Sequence, residues 1–96
     1  MKANKLRSPL EGIRILDLST VIAAPYGATL LGDFGAEVIK VEMPGVGDPL
    51  RNLGPYYEGE GLRWPGLARN KKSLTLDLRQ EEGKDILRKL VSKSDI

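Results

Sequence analysis

The chain has 96 residues, with 15 lysines and arginines against 13 aspartates and glutamates and a formal charge of +2 at pH 7. That length supports one small domain with a modest core, and 41% apolar with 29% charged residues describes an ordinary globular protein rather than a disordered one. So slight a charge excess makes no case for nucleic acid, and no apolar run approaches a bilayer span. With neither cysteine nor histidine, a disulfide framework, a thiolate nucleophile and a zinc site all drop out.

Residues 1–8 are polar and basic and read as a loose N-terminal arm ahead of a folded segment over 9–96. They lack the apolar core of a signal peptide, so the expected address is cytoplasmic. Residues 9–12 are turn material, and the β-branched, mostly apolar run 13–18 predicts a strand. Residues 19–24 cross over to a helix in which Pro25 suits the first position, where its missing N–H costs nothing. Tyr26, Leu30, Leu31 and Phe34 fall at i, i+4, i+5 and i+8 and predict the buried face of that helix; Gly35 stands where a left-handed cap is usual. Residues 36–42 predict a second strand. A crossover of this length between two apolar strands favours a parallel, right-handed pair, and the class is doubly wound α/β.

Residues 44–66 are rich in proline and glycine without a sustained period and predict a long loop. Residues 73–78 alternate with period two, as a strand does. Residues 80–93 form the best predicted helix, with an apolar stripe of Ile86, Leu87, Leu90 and Val91. Its acids Glu81, Glu82 and Asp85 lie in the first half and Arg88, Lys89 and Lys93 in the second, complementing the helix dipole. Residues 94–96 look like the turn into another strand, so the chain reads as part of a longer polypeptide.

Three places could carry chemistry. The turn over 19–25 places free amides at a helix N-terminus, an anion site at the carboxyl end of a strand, although small residues there also make an ordinary connecting loop. A dinucleotide fingerprint fits the same place poorly: Gly27, Gly32 and Gly35 lie within or after the helix, and only Glu42 stands where a ribose-binding acid would. The stretch 61–76 carries Arg63, Arg69, Lys71 and Lys72 with Trp64 and no acid. It suits a phosphorylated, ring-bearing ligand, or equally a solvated basic loop around a buried tryptophan; Arg79 extends it toward another strand end. Asp17 ends its strand in the manner of a residue capping the next turn, and no carboxylate is singled out as catalytic.

The order of these segments resembles the opening of the class III CoA transferases, the CaiB/BaiF family that includes formyl-CoA transferase and carnitine CoA-transferase. The likeness rests on residues 9–19 (PLEGIRILDLS), Ala24-Pro25, residues 31–42 (LGDFGAEVIKVE), Gly47-Asp48-Pro49 with Arg51, residues 70–78 (NKKSLTLDL) and Glu82-Gly83-Lys84. It runs from about Pro9 to Ile96.

The resemblance implies a Rossmann-like parallel-sheet N-terminal part of a large domain, within a chain several times longer that forms an interlocked homodimer. It implies transfer of CoA from an acyl-CoA to a carboxylic acid, through attack by an aspartate that gives an aspartyl-acyl anhydride. Covalent capture of this kind divides one hard exchange into easier steps. That aspartate lies beyond Ile96, so no catalytic residue is expected here and the 96 residues alone should be inactive. Coenzyme A enters as substrate; no metal, tightly bound cofactor, nucleic acid or membrane partner is expected. By correspondence Ile22 and Ala23 touch the CoA, and Leu76, Asp77, Leu78 and Arg79 lie beside its adenosine end, with Arg79 replacing a common lysine. Met43 replaces an arginine that contacts the nucleotide in some members, and Ile22 replaces a polar residue of formyl-CoA transferase, against oxalate and formate as substrates. An α-methylacyl-CoA racemase of the same superfamily and a non-catalytic nucleotide-binding module are the competing readings.

Overall fold

The structure is a computed structural model and describes residues 7–96. Most of the arm expected over 1–8 therefore lies outside the described residues. Three strands, β1 (Arg14–Asp17), β2 (Glu37–Glu42) and β5 (Lys71–Thr75), form one sheet in the order β1-β2-β5, with both pairs parallel. Helix α1 (Ala23–Asp33) makes the crossover from β1 to β2, as the pattern of the first forty residues predicts. Its end is a Schellman cap: Ala36 N–H donates to the Leu31 carbonyl, Gly35 N–H to the Gly32 carbonyl, and Gly35 adopts φ 104°. A side chain at Gly35 would also collide with Ser8, so both conformation and space require glycine there.

The core is small and centres on Ile15, Ala36 and Val38, with Leu10, Ile13 and Ala28 packed against it. It is built through small residues, and here the helix-face expectation fails. Pro25 and Thr29 are the buried residues of α1, whereas Leu30, Leu31 and Phe34 are exposed, Phe34 by 56%. A Cβ at Gly32 would stand 3.3 Å from Val38 Cγ2, so α1 approaches β2 too closely for its bulky face to turn inward. Pro25 sits at the third helical position, not the first. The tolerance is the same, since that N–H has no partner within the helix either.

The proline- and glycine-rich stretch is shorter on loop than expected. It contains a 3-10 turn (Pro49–Asn52), a hairpin of β3 (Tyr56–Tyr57) and β4 (Glu60–Gly61), and the single-turn helix α2 (Arg63–Leu67). Strand β5 starts two residues earlier than the alternation suggests and ends at Thr75. Beyond it Leu76 N–H makes one further bond to the Glu42 carbonyl, where β2 itself runs out. Helix α3 (Glu81–Ser92) matches expectation within one residue at each end; of its stripe, Leu87 and Leu90 are half-buried and Ile86 and Val91 exposed. Its first turn rests on the Asp77 carbonyl through the buried Gly83.

After α3 the chain returns to the free edge of β1. Ile96 N–H donates to the Arg14 carbonyl and Leu16 N–H to the Ile96 carbonyl, the bonding of a parallel neighbour opposite β2. The radius of gyration is 15.3 Å, against about 12–13 Å for a compact domain of this length. The chain forms an open slab rather than a closed globule.

Candidate functional site

The three strands end on one side of the slab, where the connections leaving them enclose a cavity of about 190 Å³. Leu18, Val41, Met43, Leu76 and Leu78 give it apolar walls, and Ser19, Thr20, Glu42 and Asp48 supply polar atoms at its border. The carboxyl ends of parallel strands are where an open α/β sheet receives its ligands, because the helices start there and turn their free amides outward.

Behind the cavity lies a buried ionic cluster. Lys40 interrupts the apolar run Val38-Ile39 and Val41 of β2 and is 1% exposed. Its ammonium donates to the Ser19 carbonyl at 2.8 Å and lies 2.7 Å from Asp48 Oδ2 and 3.5 Å from Asp17 Oδ2. The Asp48 contact is an ion pair at an angle that misses a directed hydrogen bond. Lys71, from β5, donates to Asp17 Oδ2 at 2.8 Å and to the Pro25 carbonyl at 2.7 Å. Asp17 caps the next turn as its position suggested, accepting from Ser19 N–H at 3.0 Å. Burial pushes its pKa up, yet Lys71, Ser19 and Lys40 together outweigh that and hold it below the ordinary value. Asp48 behaves alike: burial raises it, and the Leu50 amide, Lys40 and the Val21 amide bring it below the usual range. Two cations and two anions thus neutralise one another, which is how buried charge survives.

A second cluster closes the near side. Arg51 holds Glu42 through two bonds of 2.7 Å, Asp48 N–H donates to Glu42 Oε2 at 2.8 Å, and Ser73 Oγ to Oε1 at 3.1 Å. Chiefly because of Arg51, against the opposing pull of burial, the Glu42 carboxyl is lowered to about 2. The Arg51 guanidinium lies 3.9 Å from the centroid of the Trp64 ring, so the cation both pairs and stacks. With both oxygens of Glu42 committed to protein donors, its carboxylate is not offered to a ribose, and the dinucleotide reading loses its remaining support.

The residues predicted to meet the ligand divide into three groups. Leu76 and Leu78 line the cavity wall. Ile22 and Ala23 stand at the exposed start of α1, whose N-terminus no side chain caps. Val21 just before them adopts φ 69°, a left-handed conformation costly for a β-branched residue, and its N–H donates to Asp48 Oδ1 at 2.9 Å. Asp77 and Arg79 lie off the wall and pair with each other, Arg79 Nε donating to Asp77 Oδ1 at 3.0 Å from a side chain 72% exposed. The basic stretch does not gather into one patch. Lys71 is buried against Asp17, Arg69 pairs with Asp33 at 2.6 Å and Lys72 with Glu37 at 2.9 Å. The physical reason is that its cations alternate along β5 and the turn before it, and so face different acids.

The sequence profile of CoA-transferase family III matches residues 10–96. The chain belongs to that family. It is 50% identical to the succinyl-CoA–D-citramalate CoA-transferase of Chloroflexus aurantiacus, an alignment covering 100% of this chain and 24% of that protein. It is 45% identical to human succinyl-CoA:glutarate CoA-transferase, over 92% of this chain and 20% of the relative. Among solved structures, a CaiB/BaiF family protein from Brucella suis superposes with a TM-score of 0.83 at 38% identity, over 94% of this chain and 25% of that one. The family III chain therefore spans about a quarter of the length of the curated relatives it matches.

Among the described residues of this family III chain, no group of three or more acidic side chains is placed to hold a metal ion, and no helix is long and apolar enough to cross a membrane. Sequence reasoning missed Lys40 and Asp48 as members of the site, and it named Lys71 as part of a basic stretch without its pairing to Asp17. Of the two missed residues only Lys40 carried a signal, a lone cation between the apolar Val38-Ile39 and Val41 of a parallel strand. Asp48 and Lys71 are 27 and 50 residues away from Val21 along the chain, and only the fold brings all three to one corner.

Proposed function

We propose that this chain is the part of a family III CoA transferase that holds the nucleotide end of CoA, in an enzyme moving CoA between an acyl-CoA and a carboxylic acid. The observation that carries the proposal is the cavity at the strand ends, apolar in its walls and lined by Ser19 and Thr20 of the turn that leads into the uncapped start of α1. Its volume takes one end of a CoA molecule and not the whole. Leu76 and Leu78 offer the adenosine end an apolar surface, while the amides near Ile22 and Ala23 suit phosphate or carbonyl oxygens. Arg79 is engaged only in an exposed pair with Asp77, the kind worth little in water, and is free to exchange that partner for a phosphate bidentately. Met43 on the wall supplies no charge of its own, which leaves Arg79 the larger share of the electrostatic attraction.

The carboxylates that border the cavity or lie behind it, Asp17, Glu42 and Asp48, are each bound to a lysine or arginine. A carboxylate held in this way is a poor nucleophile. This supports the reading in which the aspartate that forms the acyl anhydride comes from polypeptide outside these residues. The exposed Leu30, Leu31 and Phe34 of α1 support a further covering layer, in keeping with an interlocked homodimer.

Isothermal titration of an acyl-CoA into the intact protein and its Arg79→Glu variant tests the reading. Binding by the unmodified protein, weakened about tenfold or more by reversing the charge, is expected, since tenfold corresponds to the loss of one modest charge-assisted bond. Absence of heat with the unmodified protein refutes the CoA reading, and equal affinities remove Arg79 from the site.

A further inference from the structure

The segment from the end of β1 into the first turn of α1 is held from behind at four backbone atoms, each by a buried charged side chain. Asp17 takes Ser19 N–H, Lys40 donates to the Ser19 carbonyl, Asp48 takes Val21 N–H, and Lys71 donates to the Pro25 carbonyl. Between these points lie Thr20, Ile22, Ala23 and Ala24, all exposed, and Thr20 lines the cavity. Without such restraint the turn would not keep its shape. Val21 is held at φ 69°, and strained backbone of this kind persists only where its surroundings over-determine it.

Asp48 is the most heavily engaged of the four. One oxygen accepts from both Val21 N–H and Leu50 N–H at 2.9 Å, the other faces Lys40, and its own N–H donates to Glu42. It therefore ties the turn after β1 to the chain leaving β2, two segments whose strands are parallel neighbours but whose connections share no backbone bond at this point. Neither Asp48 nor Lys40 needs to touch a ligand to matter for its binding.

We propose that Asp48 and Lys40 are positioning residues that fix residues 19–25 in a single conformation before the ligand arrives, so that the amides at the start of α1 receive CoA without reorganising. The proposal rests on the CoA reading above. Preorganisation of this kind raises affinity by removing the ordering cost from the binding step, so its loss falls on the KM for acyl-CoA rather than on the chemistry.

The test is steady-state kinetics on the intact transferase carrying Asp48→Ala or Asp48→Asn, with thermal melts of both. Asp48→Ala removes every contact to the turn and should raise the KM for acyl-CoA about tenfold, the equivalent of about 1.4 kcal/mol, with kcat changed less than about twofold. Asp48→Asn keeps an oxygen for the Val21 and Leu50 amides but loses the charge facing Lys40. It should lie between, about threefold above the unmodified enzyme, because neutral acceptors are roughly half as strong. The KM for the acceptor acid should not move in either variant. If Asp48→Ala does not fold, the Asp48→Asn value decides alone. A KM for acyl-CoA unchanged in the folded variants, or a fall confined to kcat as active enzyme is lost, overturns the positioning role while the CoA reading stands. Failure of the unmodified protein to bind acyl-CoA overturns both.

Discussion

Replacing Glu42 by glutamine isolates the cluster that closes the near side of the cavity. Its two oxygens receive only donors: Arg51 Nε and Nη2, the Asp48 amide and Ser73 Oγ. A glutamine of the same shape turns one acceptor into an NH2 group facing these donors, and it removes the charge. In the folded protein the carboxyl falls from 4.5 to about 2, which by linkage contributes up to about 3 kcal/mol. The Glu42 side chain is 4% exposed and needs no discount, but that of Arg51 is 38% exposed, so water screens its outer half and about 2–3 kcal/mol at pH 7 is the expected loss. Because the folded value lies below the unfolded one, the stabilisation is complete above about pH 4.5 and drains away as pH falls toward 2. At pH 3 roughly 1 kcal/mol should remain. Urea unfolding followed through Trp64, the sole tryptophan and the ring against which Arg51 stacks, measures the gap between the two proteins at both pH values. A gap at pH 7 under about 0.5 kcal/mol, within the range of ordinary surface substitutions, refutes the argument. So does a gap of equal size at pH 7 and pH 3.

Two glycines inside helices should respond in opposite directions to alanine. Gly27→Ala meets open space and should stabilise by about 0.5–1 kcal/mol, whereas Gly83→Ala drives a Cβ to within 2.8 Å of the Asp77 carbonyl carbon and closer to its oxygen, costing about 1–3 kcal/mol net despite the gain in helix propensity. Chemical denaturation reads both, and stabilisation by Gly83→Ala would show that α3 does not rest on Asp77. Thr29, fully buried in α1, donates its hydroxyl to the Leu67 carbonyl and has the Pro25 carbonyl as a second acceptor at 2.9 Å. Thr29→Val should cost about 1–2 kcal/mol in the same measurement by stranding the Leu67 carbonyl, and a neutral result would mean that water replaces the bond.

The alternation of strand, helix and strand over the first forty residues, the glycine cap of α1 and the charge-ordered α3 are local consequences of side-chain type, and all were legible in the sequence. Local reading missed the buried face of α1. The large apolar residues predict one face, but the closest approach to the sheet goes to the smallest side chains, and α1 meets β2 at Gly32. It also missed the turn, hairpin and short helix over 49–67, where proline and glycine announce a break without saying what replaces it. At the candidate site the apolar strand ends and the uncapped helix start could be placed from the pattern alone.

What the amino-acid order determined by itself was the class of fold, the position of the turn between β1 and α1 and, through its motifs, the family. Tertiary structure alone decided the pairing of charges. It sent Lys71 inward to Asp17, gave Glu42 to Arg51, and brought Asp48 across to Val21. The reason is physical. Backbone periodicity is a property of neighbours in sequence, whereas the partner of a buried charge is whichever opposite charge the packing of distant segments leaves within about 3 Å of it.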